Sequence, residues 1–127
     1  LPKTVLLIIG VLACLATHAS ATCTIPPDGS GHVILPASTT TIAANAYDGC
    51  TDLVTIDLSA ASVLTTIEDD AFKGATNLAT IYITLPDSVT SIGEGAFQGC
   101  ADLTTFTFAT GSTLATIGVG AFFQSGL

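Results

Sequence analysis

The sequence has very few charged residues, and almost none of them are cations. Among its 127 residues there is no Arg, no Trp and no Met, and 2 Lys stand against 10 Asp and Glu, for a formal net charge of −8. Two cations cannot neutralise a phosphate backbone, so we expect no sequence-independent binding to nucleic acid. An anionic membrane surface would repel the same charge.

Apolar and hydroxyl-bearing residues take the place of the missing charges. Apolar residues make up 49% of the chain and charged residues 9%, whereas a soluble domain typically carries about 25% charged residues. An apolar content near half argues against disorder, and the length suits one domain. The 21 Thr and 9 Ser residues are therefore expected to cover the surface and to supply solubility.

Residues 1–21 have the pattern of a secretory signal peptide. Lys3 precedes an uncharged apolar run of 12 residues at 5–16, which is shorter than the ~20 residues that span a bilayer as a helix. Small residues follow and end in Ala19-Ser20-Ala21, which predicts cleavage after residue 21 and a secreted or cell-surface protein without membrane insertion of the mature chain. Lipoprotein processing at Cys14 stays open as an alternative.

The remainder of the chain repeats with a period of 25 residues. Five columns hold this register: Ile42, Ile67, Ile92 and Ile117; Ala46, Ala71, Ala96 and Ala121; Tyr47, Phe72, Phe97 and Phe122; Gly49, Gly74 and Gly99; Leu53, Leu78 and Leu103. A fixed period between 20 and 50 residues is typical of solenoids. We predict a lead-in at 22–35 and repeats at 36–127, namely the first to fourth repeats 36–60, 61–85, 86–110 and the incomplete 111–127.

Each repeat combines a strand pattern with a turn pattern. Residues 53–58 alternate apolar and polar side chains, as a strand with one buried face does. Acids at 68–70 followed by Gly74 predict a short helical turn, because carboxylates suit a helix N-terminus and Gly suits its C-terminal cap. The expected fold class is a repeat solenoid, mainly β, with short helical turns.

The repeated motif resembles the BspA-like type of leucine-rich repeat. It is carried by residues 64–81, with Ile67, Ala71, Phe72 and Gly74 at its centre, and its closest copy lies at 89–103. The resemblance implies a curved leucine-rich-repeat solenoid on a secreted or surface protein that acts in adhesion and protein binding. Since the sequence begins at Leu1 and stops within a repeat, we expect it to be part of a longer protein.

The sequence contains no recognisable catalytic set. His32 is the one histidine after residue 21, and a lone loop histidine beside Ser30 is expected to be solvated. Cys50 and Cys100 share a column two repeats apart, at roughly 10 Å, beyond the ~7 Å that a disulfide spans. Both are expected to be free buried residues, while Cys23 is left either free or bonded to a partner outside the sequence.

Carboxylates are the remaining candidates for chemistry. Asp69 and Glu94 share a column on adjacent repeats, at about 5 Å if the register holds. We expect them to cap turns, with a retaining-glycosidase pair or a Ca²⁺ bridge as alternatives. A second column, Asp52, Asn77 and Asp102, is expected to bond to local backbone. We therefore predict no enzyme activity, no metal and no cofactor.

The expected binding residues lie on the outward side of the main strands. They are Thr55, Asp57, Thr80, Tyr82, Thr105 and Thr107, and Tyr82 is the candidate anchor. The predicted function is non-catalytic binding or adhesion to a protein or other extracellular macromolecule. One alternative is a structural spacer that carries a distant anchor or catalytic domain. Another is ice binding by Thr ladders, including the column of Thr41, Thr66, Ser91 and Thr116.

Overall fold

The computed structural model describes residues 23–82 and 84–127, with side chains for all of these except 80–82 and 84. The predicted signal peptide, residues 1–21, lies outside the described residues. The described chain forms nine short strands: β1 (His32–Ile34), β2 (Thr41–Ile42), β3 (Thr55–Asp57), β4 (Thr66–Ile67), β5 (Thr80–Tyr82), β6 (Thr84–Leu85), β7 (Ser91–Ile92), β8 (Thr107–Phe108) and β9 (Thr116–Ile117).

The strands form three parallel sheets that stack one repeat on the next. The first sheet has the order β1-β3-β5, the second β2-β4-β7-β9 and the third β6-β8. In the second sheet, Thr41, Thr66, Ser91 and Thr116 are register partners in succession, so this sheet advances by 25 residues at each step. In the first sheet His32 pairs with Thr55, which is a step of 23. The repeat solenoid of mainly β structure is confirmed, whereas a uniform 25-residue unit is not.

The predicted helical turns are wrong, since the described residues there form non-helical turns. Asp70 adopts a left-handed φ of 55° and Gly74 one of 68°, and each interrupts right-handed helix. The amide of Phe72 donates to the Ala96 carbonyl of the next repeat at 2.7 Å, and that of Gly74 to Gln98 at 2.8 Å. These inter-repeat hydrogen bonds use donors that a helix would direct to its own carbonyls.

The core consists of the predicted apolar columns. Ile42, Ile67 and Ile92 are buried, as are the Ala, Leu and aromatic columns through the third repeat. The rings of Tyr47, Phe72, Phe97 and Phe122 stack in series, with centroid separations of 5.1, 5.0 and 5.3 Å. Each repeat therefore buries its apolar side chains against its neighbours rather than within itself.

The third repeat leaves the first sheet and pairs in a shifted register. Thr84 and Leu85 of β6 face Thr107 and Phe108 of β8, whereas the 25-residue columns had aligned Tyr82 with Thr107. Phe106 packs edge-on against Phe97 at 5.2 Å between ring centroids. The pairing of the second and third repeats is thus offset by two residues from the 25-residue columns.

Candidate functional site

In the first sheet, the strand positions on either side of the buried central row form two rows. Register places His32, Thr55 and Thr80 in one row and Ile34, Asp57 and Tyr82 in the other. The intervening Val33 and Ile56 are buried, so the alternation of the strand fixes which side faces outward. We call these six positions the first-sheet face.

Contacts within this face hold its polar groups in place. The imidazole Nδ1 of His32 and the hydroxyl of Thr55 share a hydrogen bond. The Asp57 carboxylate accepts a hydrogen bond from the Ser59 amide at 2.8 Å. Hydrogen bonds from the Ser59 hydroxyl and then its amide lower the pKa of the Asp57 carboxyl. Asp57 therefore carries its charge at neutral pH, next to an Ile34 side chain that is 60% exposed.

The structure brings four of the six predicted binding residues into one sheet. Thr55 and Asp57 lie on β3 and pair with Thr80 and Tyr82 on β5. Thr107 lies on β8 in the third sheet, and Thr105 lies outside the strands; both are exposed.

Two residues of the face, His32 and Ile34, were assigned by the sequence to the lead-in. Within the lead-in they form part of β1, the first strand of the sheet. A signal for this strand was present, because Leu35-Pro36 recurs as Leu85-Pro86 two predicted repeats later. That match aligns the end of the lead-in with the end of a repeat strand.

The lead-in is joined to the first repeat by a disulfide between Cys23 and Cys50, with a Cα–Cα distance of 5.6 Å. The expectation that Cys50 is a free thiol, and that Cys23 is free or bonded outside the sequence, is wrong. The 25-residue columns predict distances only between residues of the repeats. Cys23 lies in the lead-in, so they predicted no distance from it to Cys50. Thr24 reinforces this link, since its amide and hydroxyl donate to the Ala46 carbonyl at 2.8 and 3.0 Å.

Cys100 is the buried free cysteine that the sequence predicted. Its Sγ lies 3.1 Å from the Phe72 carbonyl oxygen, to which it donates. Burial raises the pKa of the Cys100 thiol to about 12, against a smaller opposing effect of the Ala75 backbone. A thiol that stays protonated and out of contact with solvent is unsuited to nucleophilic chemistry.

The turn of the lead-in is organised by Asp28. Its Oδ1 accepts hydrogen bonds from the Ser30 amide at 2.8 Å, the Ser30 hydroxyl at 2.7 Å and the His32 amide at 3.0 Å. These bonds, led by the Ser30 hydroxyl, lower the pKa of Asp28 to about 2. The turn directs the chain into β1, and it borders an open depression of about 680 Å³ between the lead-in and the first two repeats.

The carboxylate columns serve the backbone of adjacent repeats. Asp69 Oδ1 accepts from the Glu94 amide at 2.8 Å, and Glu68 Oε2 from the Ala44 amide at 2.9 Å. In the second column, Asn77 Nδ2 donates to the Thr51 carbonyl at 2.8 Å. Within the described residues, no three His, Cys, Asp or Glu side chains are grouped to hold a metal ion.

Hydroxyl groups on the second sheet also support the stacking. The Thr65 hydroxyl donates to the Thr40 carbonyl at 3.1 Å, and the Thr90 hydroxyl to the Thr65 carbonyl at 3.2 Å. The column of Thr41, Thr66, Ser91 and Thr116 runs beside them on the four strands of that sheet. A shallow, open depression of about 530 Å³ borders Thr66, Ser91 and Thr116 of this column.

This architecture, in which short parallel strands stack with a shared apolar core, defines a solenoid repeat protein. The family model described as BspA type leucine rich repeat region matches residues 30–127 in 6 copies. The chain belongs to this family, and the resemblance of the motifs is confirmed. No curated protein and no solved structure gives a significant match.

Membership of the BspA type leucine rich repeat family defines the class of this protein. Proteins of this family are generally repeat modules for protein interaction rather than enzymes, and they are typically found at the cell surface or secreted. In the part of the chain that the structure describes, no helix is long and apolar enough to cross a membrane.

Proposed function

We propose that this chain is a secreted or surface-exposed, non-catalytic module that binds another protein through its first-sheet face. The observation that carries the proposal is the register of β1, β3 and β5, which places Ile34, Asp57 and Tyr82 side by side. An exposed apolar side chain beside a fixed carboxylate offers both contact area and orientation to a partner. Thr105 and Thr107 remain candidate contacts at a separate position.

The chemistry of the face favours a protein partner over a small substrate. Asp57 is held by Ser59, and His32 by Thr55, so the polar groups are preorganised without a deep pocket. Strands of a parallel stack are rigid elements, and outward side chains on them keep fixed spacing. A broad surface of this kind suits contact with another macromolecule.

The proposed location outside the cell is supported by the disulfide and by the N-terminal sequence. Disulfides persist in oxidising compartments, and Cys23 and Cys50 are bonded. Expression of the full chain in a secreting host is expected to release a product that begins at Thr22. A product that carries lipid on Cys14 would instead support the lipoprotein alternative, and full retention in the cytoplasm would contradict both.

Binding is tested by comparing matched variants. The chain is immobilised, a retained extracellular protein is purified, and its Kd is measured for Asp57→Ala, Tyr82→Ala and Ile34→Ser. Each variant is expected to weaken binding by about tenfold or more, as truncation of an interface anchor does. Asp87→Ala and Val63→Ser serve as controls, because both residues are exposed away from the first sheet. Unchanged binding by the first-sheet variants would reject this face.

The two alternative functions have less support. If the chain were only a structural spacer, its first-sheet face would have no partner. The binding experiment above would then retain no protein that depends on this face. Ice binding calls for a regular Thr ladder, yet Thr107 pairs in the third sheet and Ser91 interrupts the column of Thr41, Thr66 and Thr116. A thermal-hysteresis assay tests it, and activity would contradict the proposed role.

A further inference from the structure

In two outward columns, the fourth repeat carries apolar residues where the second and third repeats carry polar ones. The first column reads Ala44, Asp69, Glu94 and Val119, and the second reads Asp48, Lys73, Gln98 and Phe123. Val119 is 79% exposed and Phe123 is 58% exposed. Among the described residues, these are two of the most exposed large apolar side chains, and they stand where the second and third repeats carry charged or amide groups.

Both columns face sideways from the stack rather than toward the next repeat. Asp69 and Glu94 are exposed although the following repeats stack against theirs, and the Lys73 side chain keeps 43% exposure within the stack. The Val119 carbonyl accepts from the Gly95 amide at 3.1 Å, and the Phe123 carbonyl from the Gly99 amide at 2.9 Å. The backbone of both residues is thus in regular register, and their side chains continue the lateral columns.

Val119 and Phe123 border a groove whose other walls are charged. The groove has a volume of about 280 Å³ and is lined by the two apolar side chains, the neutral Gln98 and Gly120, and four charged residues, Asp69, Asp70, Lys73 and Glu94. Lys73 Nζ lies 3.4 Å from Asp70 Oδ2, so that pair is balanced, while Asp69 and Glu94 leave two negative charges. We call this surface the flank groove; it shares no residue with the first-sheet face.

We propose that the flank groove docks a basic, amphipathic segment of a partner protein. The apolar side chains of that segment would pack against Val119 and Phe123, and its Lys or Arg side chains would pair with Asp69 and Glu94. Exposed apolar surface rimmed by polar groups marks interaction sites, and complementary charge orients the partner. A second copy of the chain fits poorly, because residues 23–127 carry ten acids and one Lys and two copies would repel. The net charge of the groove likewise disfavours an acidic partner.

The test uses three 12-residue peptides and the purified chain. One peptide carries four Lys and four Leu, the second replaces Leu with Ser, and the third replaces Lys with Glu. Fluorescence anisotropy at low salt is expected to show the Lys/Leu peptide binding at least about tenfold more tightly than either of the others. Binding is expected to weaken as salt rises, since exposed charges are screened.

Chain variants assign the binding to the groove. Val119→Ser, Phe123→Ser and Glu94→Gln are each expected to raise the Kd of the Lys/Leu peptide several-fold, and Val63→Ser is the matched control because Val63 is 46% exposed elsewhere. Far-UV circular dichroism verifies that every variant is folded.

Three results would overturn the proposal. The first is equal binding of the Lys/Leu and Lys/Ser peptides, which would leave the apolar residues without a role. The second is equal loss in Val119→Ser and Val63→Ser, or no binding of any peptide. The third is self-association of the chain in sedimentation velocity that Val119→Ser abolishes, since the occupant would then be a second copy.

Discussion

Removal of one ring from the aromatic stack is expected to destabilise the fold strongly. Phe97 is 1% exposed, and its ring stacks on Phe72 and Phe122 and meets Phe106 edge-on, with centroids 5.0, 5.3 and 5.2 Å away. Truncation of a buried Phe to Ala costs about 3–5 kcal/mol, a total that already contains the ring–ring contacts of about 0.5–1.5 kcal/mol each. Phe97→Ala should therefore lower the free energy of unfolding by about 4 kcal/mol.

Urea unfolding followed by far-UV circular dichroism measures this loss. With a slope of about 2 kcal/mol per molar urea, a loss of about 4 kcal/mol lowers the midpoint by roughly 2 M. Such a loss is large against the total of about 5–15 kcal/mol that a domain usually has. A smaller slope of the free energy of unfolding against urea concentration would show that the third and fourth repeats unfold separately from the others.

Phe123→Ala is the matched control for this experiment. Phe123 is the same residue type in the neighbouring repeat, but its side chain lies in solvent on the flank groove. Its removal is expected to change the free energy of unfolding by less than about 1 kcal/mol. A midpoint shift below about 0.5 M for Phe97→Ala, or equal shifts for the two variants, would refute the assignment of the stack as the main core element.

Three further predictions concern the lead-in and the free thiol. Cys23→Ser opens a loop closed by a sequence separation of 27 and is expected to lower the free energy of unfolding by about 3–4 kcal/mol on the chain-entropy model, as urea midpoints with and without reductant would show. Asp28→Asn is expected to lower the melting temperature at pH 6 but not at pH 2. The reason is that the ionised Asp28 carboxylate, whose pKa is lowered to about 2, stabilises the fold above its ordinary pKa of 3.8, and this contribution is lost as pH falls through about 2. Iodoacetamide at pH 8 should leave the Cys100 peptide unmodified until urea is added, because burial raises its pKa to about 12; modification of the native chain would contradict its burial.

The core columns could be predicted from the sequence because the same apolar residue type recurs at each buried position. An Ile, Ala or aromatic residue every 25 positions has one explanation in a stacked fold, and Ile67, Ala71 and Phe72 are buried as expected. The turn was misassigned for a physical reason. Acids before Gly74 suit a helix cap, but they equally suit a turn whose amides bond to the next repeat.

The strand register of the third repeat could not be read in the same way. In residues 78–85, the apolar residues Ile81, Ile83 and Leu85 follow one another at intervals of two, so each fits the inward position of a strand. A shift of two residues keeps every side chain on its own face, so the pattern does not distinguish pairing of Tyr82 from pairing of Thr84 with Thr107. Packing decides it, with Leu85 buried and β6 against β8.

The inward columns and the outward columns of this solenoid carry different information. Inward positions repeat almost unchanged, since each must fit the same apolar stack. Outward positions vary from repeat to repeat: one row of the first sheet reads Ile34, Asp57, Tyr82, and one lateral column ends in Val119 after Asp69 and Glu94. Because a repeat contacts only its neighbours, an outward substitution has little effect on the core. Binding specificity can therefore differ along the chain while the stack stays the same, and the positions that break the repeat are where partners should be sought.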